Sequence, residues 1–493
     1  MIANYCKQCL AGVTTCRRVV GEWSASGDPP CDRRPVRTHY VDRTVTSAEQ
    51  DIHENVHPGR QRLTLLLAFL VAAPGVVLKF SGAHPSTALQ AVLFGLSIVG
   101  AAFLLSWAAE VAQLFISAGL AIAVLAFIAV LPEYAVDMVF AFKGGRDFRA
   151  DGFDPACNPL GREIESNCSL ALANMTGANR LLIGIGWSLV VFIAWYRLSR
   201  TSKTPNKVPT QAGPKRQATP GGITLERSHA VEVAFLTLAT VYSLTLPFKR
   251  SISLWDTAVL VGIFVLYTIR ISRAPAEEPH LVGPARWIGG FSSRSAQLRT
   301  CLGLFFIAAA VILVCAEPFA ESLVATGESF GISEFFLVQW LAPLASESPE
   351  LLVAGLYAWR LNTNAALGTL VSSKVNQWTL LVGTLPVAFA VASSSTHGLP
   401  ISTLQRDELL LTAAQSLFAV AILNNLTLSN REALGLFGLF WAQFALAAVL
   451  PDWEKRFVAG IYLALAIWIL AKEWRNMRSL LRDGFRTPYA QLS

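Results

Sequence analysis

Ala126-Phe-Ile-Ala-Val-Leu-Pro-Glu-Tyr-Ala135 and Ala345-Ser-Glu-Ser-Pro-Glu-Leu-Leu352 are the stretches that decide how this chain is read. Each sets a Pro-Glu pair, Pro132-Glu133 or Pro349-Glu350, inside a long apolar segment. A carboxylate held in hydrocarbon costs about 3 kcal/mol or more, so it marks a functional site by default. The proline before it removes a backbone donor and frees a helix carbonyl. The pairs lie 217 positions apart (350 minus 133). That spacing points to a duplicated transporter core.

Composition agrees. The chain is 53% hydrophobic and only 15% charged, against about 25% charged in soluble domains. It reads as an all-α, polytopic membrane protein whose main partner is the lipid bilayer. The formal charge of +7 is no nucleic-acid footprint, because the basic residues sit mainly in loops, where they set orientation. Residues 1–60 are polar and Arg-rich, without apolar periodicity or a signal-peptide core. They read as a disordered cytoplasmic tail or an over-called start. Cys301 and Cys315 lie in an apolar segment and read as packing residues. Cys157 and Cys168 share a polar loop and can pair if it faces an oxidising compartment. Cys6-x-x-Cys9, with Cys16 and Cys31, lacks the second CxxC of a zinc site.

Apolar runs long enough to span a bilayer, about 17–25 residues, fall near 62–80, 88–112, 115–142, 168–196, 230–248 and 253–271. A second set falls near 300–325, 334–358, 366–393, 407–428, 431–450 and 455–472. About twelve helices are therefore expected. Residues 61–272 form the first transmembrane half, 273–299 a cytoplasmic linker, 300–472 the second half and 473–493 a tail. Arginines before the first helix, the basic loop 197–229, Arg286, Arg294 and Arg299 in the linker, and Arg475, Arg478 and Arg482 in the tail then share one side. Both termini are expected in the cytoplasm of a cell-membrane protein. Lys249-Arg250 and Lys455-Arg456 run against that bias.

The halves compare in detail. A helix with Glu110 precedes the first Pro-Glu helix, and one with Glu317 and Glu321 precedes the second. Each Pro-Glu helix is followed by one that opens small and polar and ends apolar: Leu172-Ala-Asn-Met-Thr-Gly-Ala-Asn-Arg-Leu-Leu182 and Leu367-Gly-Thr-Leu-Val-Ser-Ser-Lys-Val-Asn-Gln-Trp378. On the helix count the two Pro-Glu helices run in opposite directions. This is an inverted-topology repeat, with the binding site expected at the midplane.

Hard cations take oxygen ligands, roughly six once dehydrated. The first repeat offers Glu133, Asn174, Thr176 and Asn179; the second offers Ser346, Glu347, Glu350, Thr369, Ser372, Ser373 and Asn376. Glu347 and Glu350 share a face if the helix continues through Pro349. Asp137 lies one turn beyond Glu133. Intramembrane Asn, Ser and Thr more often join helices than bind ions, and Gly177 and Gly368 fit close packing equally well. Packing does not account for Glu133 and Glu350.

These residues resemble the sodium/calcium exchanger superfamily, the cation/calcium antiporters. Its inverted repeats each carry a Ser-x-Pro-Glu-like helix, then one reading roughly Gly-Asn-x-x-Gly-Ser-Asn. Ala173-Asn-Met-Thr-Gly-Ala-Asn179 is similar to the latter, and Gly368-Thr-Leu-Val-Ser-Ser-Lys374 departs further. The likeness spans roughly residues 89–450. It implies exchange of Ca²⁺ or a similar cation against H⁺ or Na⁺, with no cofactor. It also implies that Glu133 and Glu350 are the central metal-binding carboxylates, with Asn174 and Asn179 as amide ligands and Thr369 in place of an Asn. Val130, Glu347 and Ala178 stand where the family usually has Ser.

Lys374 stands where the family has a neutral or acidic ligand. A buried ammonium there is expected to replace a Na⁺ site and, since a desolvated lysine deprotonates readily, to make the exchanger proton-coupled; the alternative is a lysine that snorkels to an interface or pairs with Glu347. The expected mechanism is alternating access at Glu133 and Glu350, with half-helices flanking the prolines supplying carbonyls. Two other classes stay open: a non-transporting sensor or partner protein on the same fold, favoured by Lys374, and a membrane enzyme. The enzyme lacks a Ser/His constellation or a phosphate-binding loop.

Overall fold

The computed structural model describes residues 58–115, 131–151, 166–201, 218–219, 221–274, 281, 283–331, 334–447 and 453–492. The expected N-terminal tail with its cysteines, Val130 and Cys157 lie outside the described residues. Up to residue 271 the helices are α1 (Pro58–Ser81), α2 (Thr87–Ala112), α3 (Leu131–Asp151), α4 (Asn167–Leu181), α5 (Ser188–Thr201), α6 (Ala230–Ser243) and α7 (Leu254–Ile271). A short α8 (Pro284–Gly289) then leads to α9 (Arg294–Phe330), α10 (Glu334–Trp359), α11 (Thr363–Asn376) and α12 (Val382–Ser393). The chain closes with α13 (Thr403–Ile422), α14 (Asn430–Ala447), α15 (Glu454–Lys472) and α16 (Trp474–Phe485). Strands are minor. Gly222–Thr224 pairs with Ala218–Thr219 and Thr427–Ser429, and Ser251–Ile252 pairs with Leu399–Pro400, all antiparallel.

Among the described residues, eight helices are long and apolar enough to cross a membrane, or nine if α15 and α16, bent by 86°, form one span. The sequence-based figure of about twelve includes three more, α3, α10 and α14. Of the spans expected at 115–142 and 431–450 the described residues of α3 and α14 hold only 131–142 and 431–447, while on α10 Glu347 and Glu350 lower the apolar average.

The helices that follow the two Pro-Glu helices are built alike. Ser166 caps α4 by accepting from the Ser169 N–H at 3.1 Å, and Asn362 caps α11 by accepting from the Ala365 N–H at 3.3 Å. Each helix then passes through a π turn, Leu182–Trp187 after α4 and Gln377–Leu381 after α11. Both turns begin nine residues after the start of their polar motif (182 minus 173, 377 minus 368). π turns inside α-helices occur frequently at functional sites. Beyond them the chain becomes apolar as α5 and α12.

Packing crosses between the two stretches of chain. α3 packs on α12 as well as α4, and α10 packs on α4 as well as α11. Gly177 lets α10 approach: a β-carbon there would lie 1.7 Å from the Gln339 carbonyl oxygen. Gly368 likewise faces the His229 ring. The apolar interior falls into two clusters. The larger takes in the first part of α2, α3 to α7, the second part of α9 and α10 to α16; the smaller joins α1, the rest of α2, α8 and the first part of α9. Cys301 belongs to the smaller and Cys315 to the larger, and both are free and buried, as packing residues should be. Cys168 is disulfide-bonded.

Candidate cation-binding site

α10 runs unbroken over Glu334–Trp359, so Glu347 and Glu350 share a face. The expectation of two half-helices around each proline therefore fails at Pro349. The proline withholds one N–H, from the carbonyl of Ala345, without ending the helix. Glu133 enters from the start of α3 and is 3% exposed; Glu347 is 2% exposed. Gln377, the first residue of the second π turn, joins them. Its Nε2 donates to Glu133 Oε1 at 3.0 Å and also to Glu347 Oε1. Ser373 Oγ donates to Glu350 Oε2 at 2.6 Å. Carboxylates from both Pro-Glu segments thus meet around the end of α11 and the π turn that follows it.

Lys374 is completely buried and neither snorkels nor ion-pairs with Glu347. Its Nζ donates to Asn179 O at 2.7 Å and Asn179 Oδ1 at 2.6 Å, and lies 5.5 Å from the Trp378 ring centre. The amide oxygen that the family likeness offers to a cation is held by an internal ammonium. Asn174 is engaged too: its Nδ2 donates to Asp137 Oδ1 at 2.6 Å.

Two expected ligands do not join the cluster. Thr369 is exposed, and its hydroxyl donates to Ala365 O at 2.8 Å. Ser346 is buried, but its hydroxyl turns back on α10, to Ala342 O and Pro343 O, each at 3.2 Å. Thr176 donates to Leu172 O and Ala173 O, while Ser372 accepts from Tyr267 at 3.3 Å. Glu110 is buried on α2. Glu317 and Glu321 lie at 3.8 and 2.6 Å from Lys143 Nζ at an exposed end.

The site is rich in unsatisfied oxygen. Glu133 Oε2, Glu347 Oε2, Asp137 Oδ2, Asn174 Oδ1 and Gln377 Oε1 are buried without a donor. Such acceptors call for a proton, a cation or water, and an all-oxygen set suits a hard cation. Among the described residues, no three His, Cys, Asp or Glu side chains are already gathered as a metal cluster. Gln377 Nε2 donates to both Glu133 and Glu347, the two carboxylates that a shared cation would neutralise.

A family model described as sodium/calcium exchanger protein matches residues 85–272 and 300–449. The chain belongs to that family. A solved H⁺/Ca²⁺ exchanger, CAX, is 36% identical to it, with a TM-score of 0.76 over 88% of this chain and 100% of its own. Native YfkE is 14% identical (TM-score 0.49; 82% and 99% covered), and the sodium-calcium exchanger NCX_Mj is 16% identical (TM-score 0.42; 74% and 99%). These last two are distant likenesses. Comparison with curated proteins gave no match.

In this exchanger the sequence reading missed Gln377, although it lies three positions beyond Lys374 and so shares its helix face. It also missed the partner of Arg180. Arg180, 1% exposed, lies 2.7 Å from Glu408 of α13, and Lys455 Nζ reaches the other oxygen of Glu408 at 2.9 Å. The guanidinium also lies 5.1 Å from the Trp340 ring centre. Glu317 and Glu321 pair with Lys143 instead.

Proposed function

We propose that this exchanger moves Ca²⁺ or a similar divalent cation against H⁺ by alternating access, with the cation held between Glu133 and Glu350. The observation that carries this reading is the Gln377 bridge. It brings carboxylates from the two Pro-Glu segments into one buried, oxygen-lined cluster. Glu347 is the third acid of that cluster, Ser373 orients Glu350, and Asn174 and Asn179 are its amides. A cation entering the cluster displaces the Gln377 N–H groups and any protons on the carboxylates, because a protonated carboxyl is a poor ligand. That competition couples the two fluxes. The 36%-identical H⁺/Ca²⁺ exchanger supports Ca²⁺ and H⁺ as the pair.

Lys374 acts as a built-in cation. Bonded to Asn179, it fills one position of the site permanently and reduces the number of ions that can enter. The fold is an inverted repeat of twelve spans, with halves 61–272 and 300–472 and both termini cytoplasmic. The π turns at matching offsets and the exchanged packing of α3 and α10 support the repeat.

Inverted membrane vesicles carrying the protein test the reading. Ca²⁺ addition should drive a pH change that is lost in Glu133→Gln and in Glu350→Gln. If both variants exchange like wild type, the transport site is elsewhere. If wild type gives no response, the non-transporting sensor reading takes its place. Lys374→Asn should alter ion selectivity and pH dependence; unchanged behaviour removes the lysine from the mechanism.

A further inference from the structure

α16 leaves the end of α15 at 86°, with the break at Glu473. Membrane spans are tilted by about 20° on average, so with α15 crossing the bilayer α16 runs close to the membrane plane. The side chains at the bend agree. Ile467 and Trp468 on α15 are exposed, Lys472 Nζ lies 5.2 Å from the Trp468 ring centre, and an exposed Trp474 opens α16. Tryptophan beside lysine or arginine marks the level where hydrocarbon gives way to headgroups.

One face of α16 is fixed to the body of the protein. Met477 and Leu480 join the larger apolar cluster. A β-carbon at Gly484 would lie 2.6 Å from the Ala230 carbonyl oxygen of α6, and Phe485 meets Phe235 edge-on with ring centres 5.1 Å apart. Arg227 Nε donates to Asp483 Oδ2 at 2.9 Å, and Arg270 of α7 donates to Gly484 O at 3.0 Å and to Thr487 O. Asp483, the one acid within α16, is thereby turned inward and neutralised.

The other face is cationic. Arg475, Arg478, Arg482 and Arg486 follow one another at helical spacing, and all four are exposed. At about 100° per residue, they share an arc of about 120° with Trp474 and Phe485, aromatic at one border and basic across the rest. Among the described residues Arg475, Arg478 and Arg486 make no ion pair, and Arg482 pairs only with Asp483, at 3.8 Å. A charged helix face is ordinarily just solvated. Solvation explains neither the aromatic border nor the bend that sets this face at headgroup level.

Arginine forks match phosphate oxygens in pairs, and a helix with aromatic and basic residues on its free face lies in the membrane interface. We propose that α16 is a docking surface for anionic phospholipid, whose headgroups are bound by Arg475, Arg478, Arg482 and Arg486. Because α16 is already fixed to α6 and α7, lipid meets a surface that is shaped beforehand. The inference is independent of which cation is exchanged.

Hydrogen exchange on the purified full chain in nanodiscs tests it. Backbone amides of residues 474–486 should exchange at least about tenfold more slowly in mixed phosphatidylserine–phosphatidylcholine discs than in phosphatidylcholine alone. Equal exchange in both overturns the proposal, and wild type alone supplies that comparison. The variant Arg475→Gln/Arg478→Gln/Arg482→Gln/Arg486→Gln should lose the difference while matching wild type in phosphatidylcholine. A difference that persists in the variant also overturns the proposal, because the lipid charge then acts elsewhere. High salt should weaken the protection by screening the headgroups; protection untouched by salt overturns a charge-based contact. Inorganic phosphate added to phosphatidylcholine discs should leave exchange unchanged, and slowing by phosphate alone overturns the lipid assignment in favour of a free anion.

Discussion

Removing Glu408 alone should cost more than removing it together with Arg180. The two side chains are 1% and 3% exposed and 2.7 Å apart, so neither can reach water when its partner is lost. Stripping one partner from a buried ion pair typically costs about 3–5 kcal/mol, because the remaining charge is uncompensated, whereas replacing both with apolar residues is often neutral. Glu408→Leu strands the Arg180 charge, leaving it the Trp340 ring and one hydrogen bond from Nε to Thr176 O at 3.4 Å. Arg180→Met costs less, because Lys455 still meets Glu408 at 2.9 Å. The double variant strands only Lys455, which is 16% exposed and can turn to solvent. Reversible denaturation in mixed detergent micelles supplies the energies, and a double-mutant cycle isolates the pair. The expected results are a loss of about 3–5 kcal/mol for Glu408→Leu, less for Arg180→Met, and a double variant closer to wild type than Glu408→Leu. If Glu408→Leu cost less than about 1 kcal/mol, as surface pairs do, the pair would not be desolvated and the reasoning would fail.

Gly177→Ala should impair folding, since the new methyl would lie 1.7 Å from the Gln339 carbonyl oxygen and two helix backbones would have to separate. Detergent-solubilised yield and melting temperature are the readouts, and a wild-type melting temperature would contradict the close approach. Glu347→Gln keeps an acceptor oxygen for Gln377 but removes a charge from the cluster. It should fold normally and bind Ca²⁺ at least about tenfold more weakly, a loss of about 1.4 kcal/mol or more. Unchanged affinity by calorimetry would remove Glu347 from the ligand set.

The buried acids were legible in the sequence because a carboxylate in an apolar run has few explanations. Glu133, Glu347 and Glu350 do meet, and Ser373 bonds Glu350. What the pattern could not supply was side-chain direction. Thr369 occupies the motif position of Asn174, yet α11 is rotated so that it faces outward while Ser373 and Gln377 face the acids. Ser346 is buried, but its hydroxyl is taken by its own helix. Glu408 was out of reach for another reason. It lies 228 positions from Arg180 (408 minus 180) on a helix with no Pro-Glu signal, and only the packing of α13 on α4 joins them.

The division of the interior into two clusters bears on mechanics. Every buried polar tie described above, Gln377 to Glu133 and Glu347, Lys374 to Asn179, and Arg180 to Glu408, lies within the larger one. The smaller group is built on α1, the second part of α2, α8 and the first part of α9, and its apolar side chains pack on the centre. Lys143–Glu321 does cross to α9, but Glu321 is 57% exposed there and water can replace the bond. Apolar surfaces can slip past one another without stranding a donor or a charge, and a hydrogen-bonded centre cannot. α2 and α9, however, cross from one cluster into the other as continuous rods, so they cannot slip at the boundary between them, and a change of side at the acids must carry both helices with it.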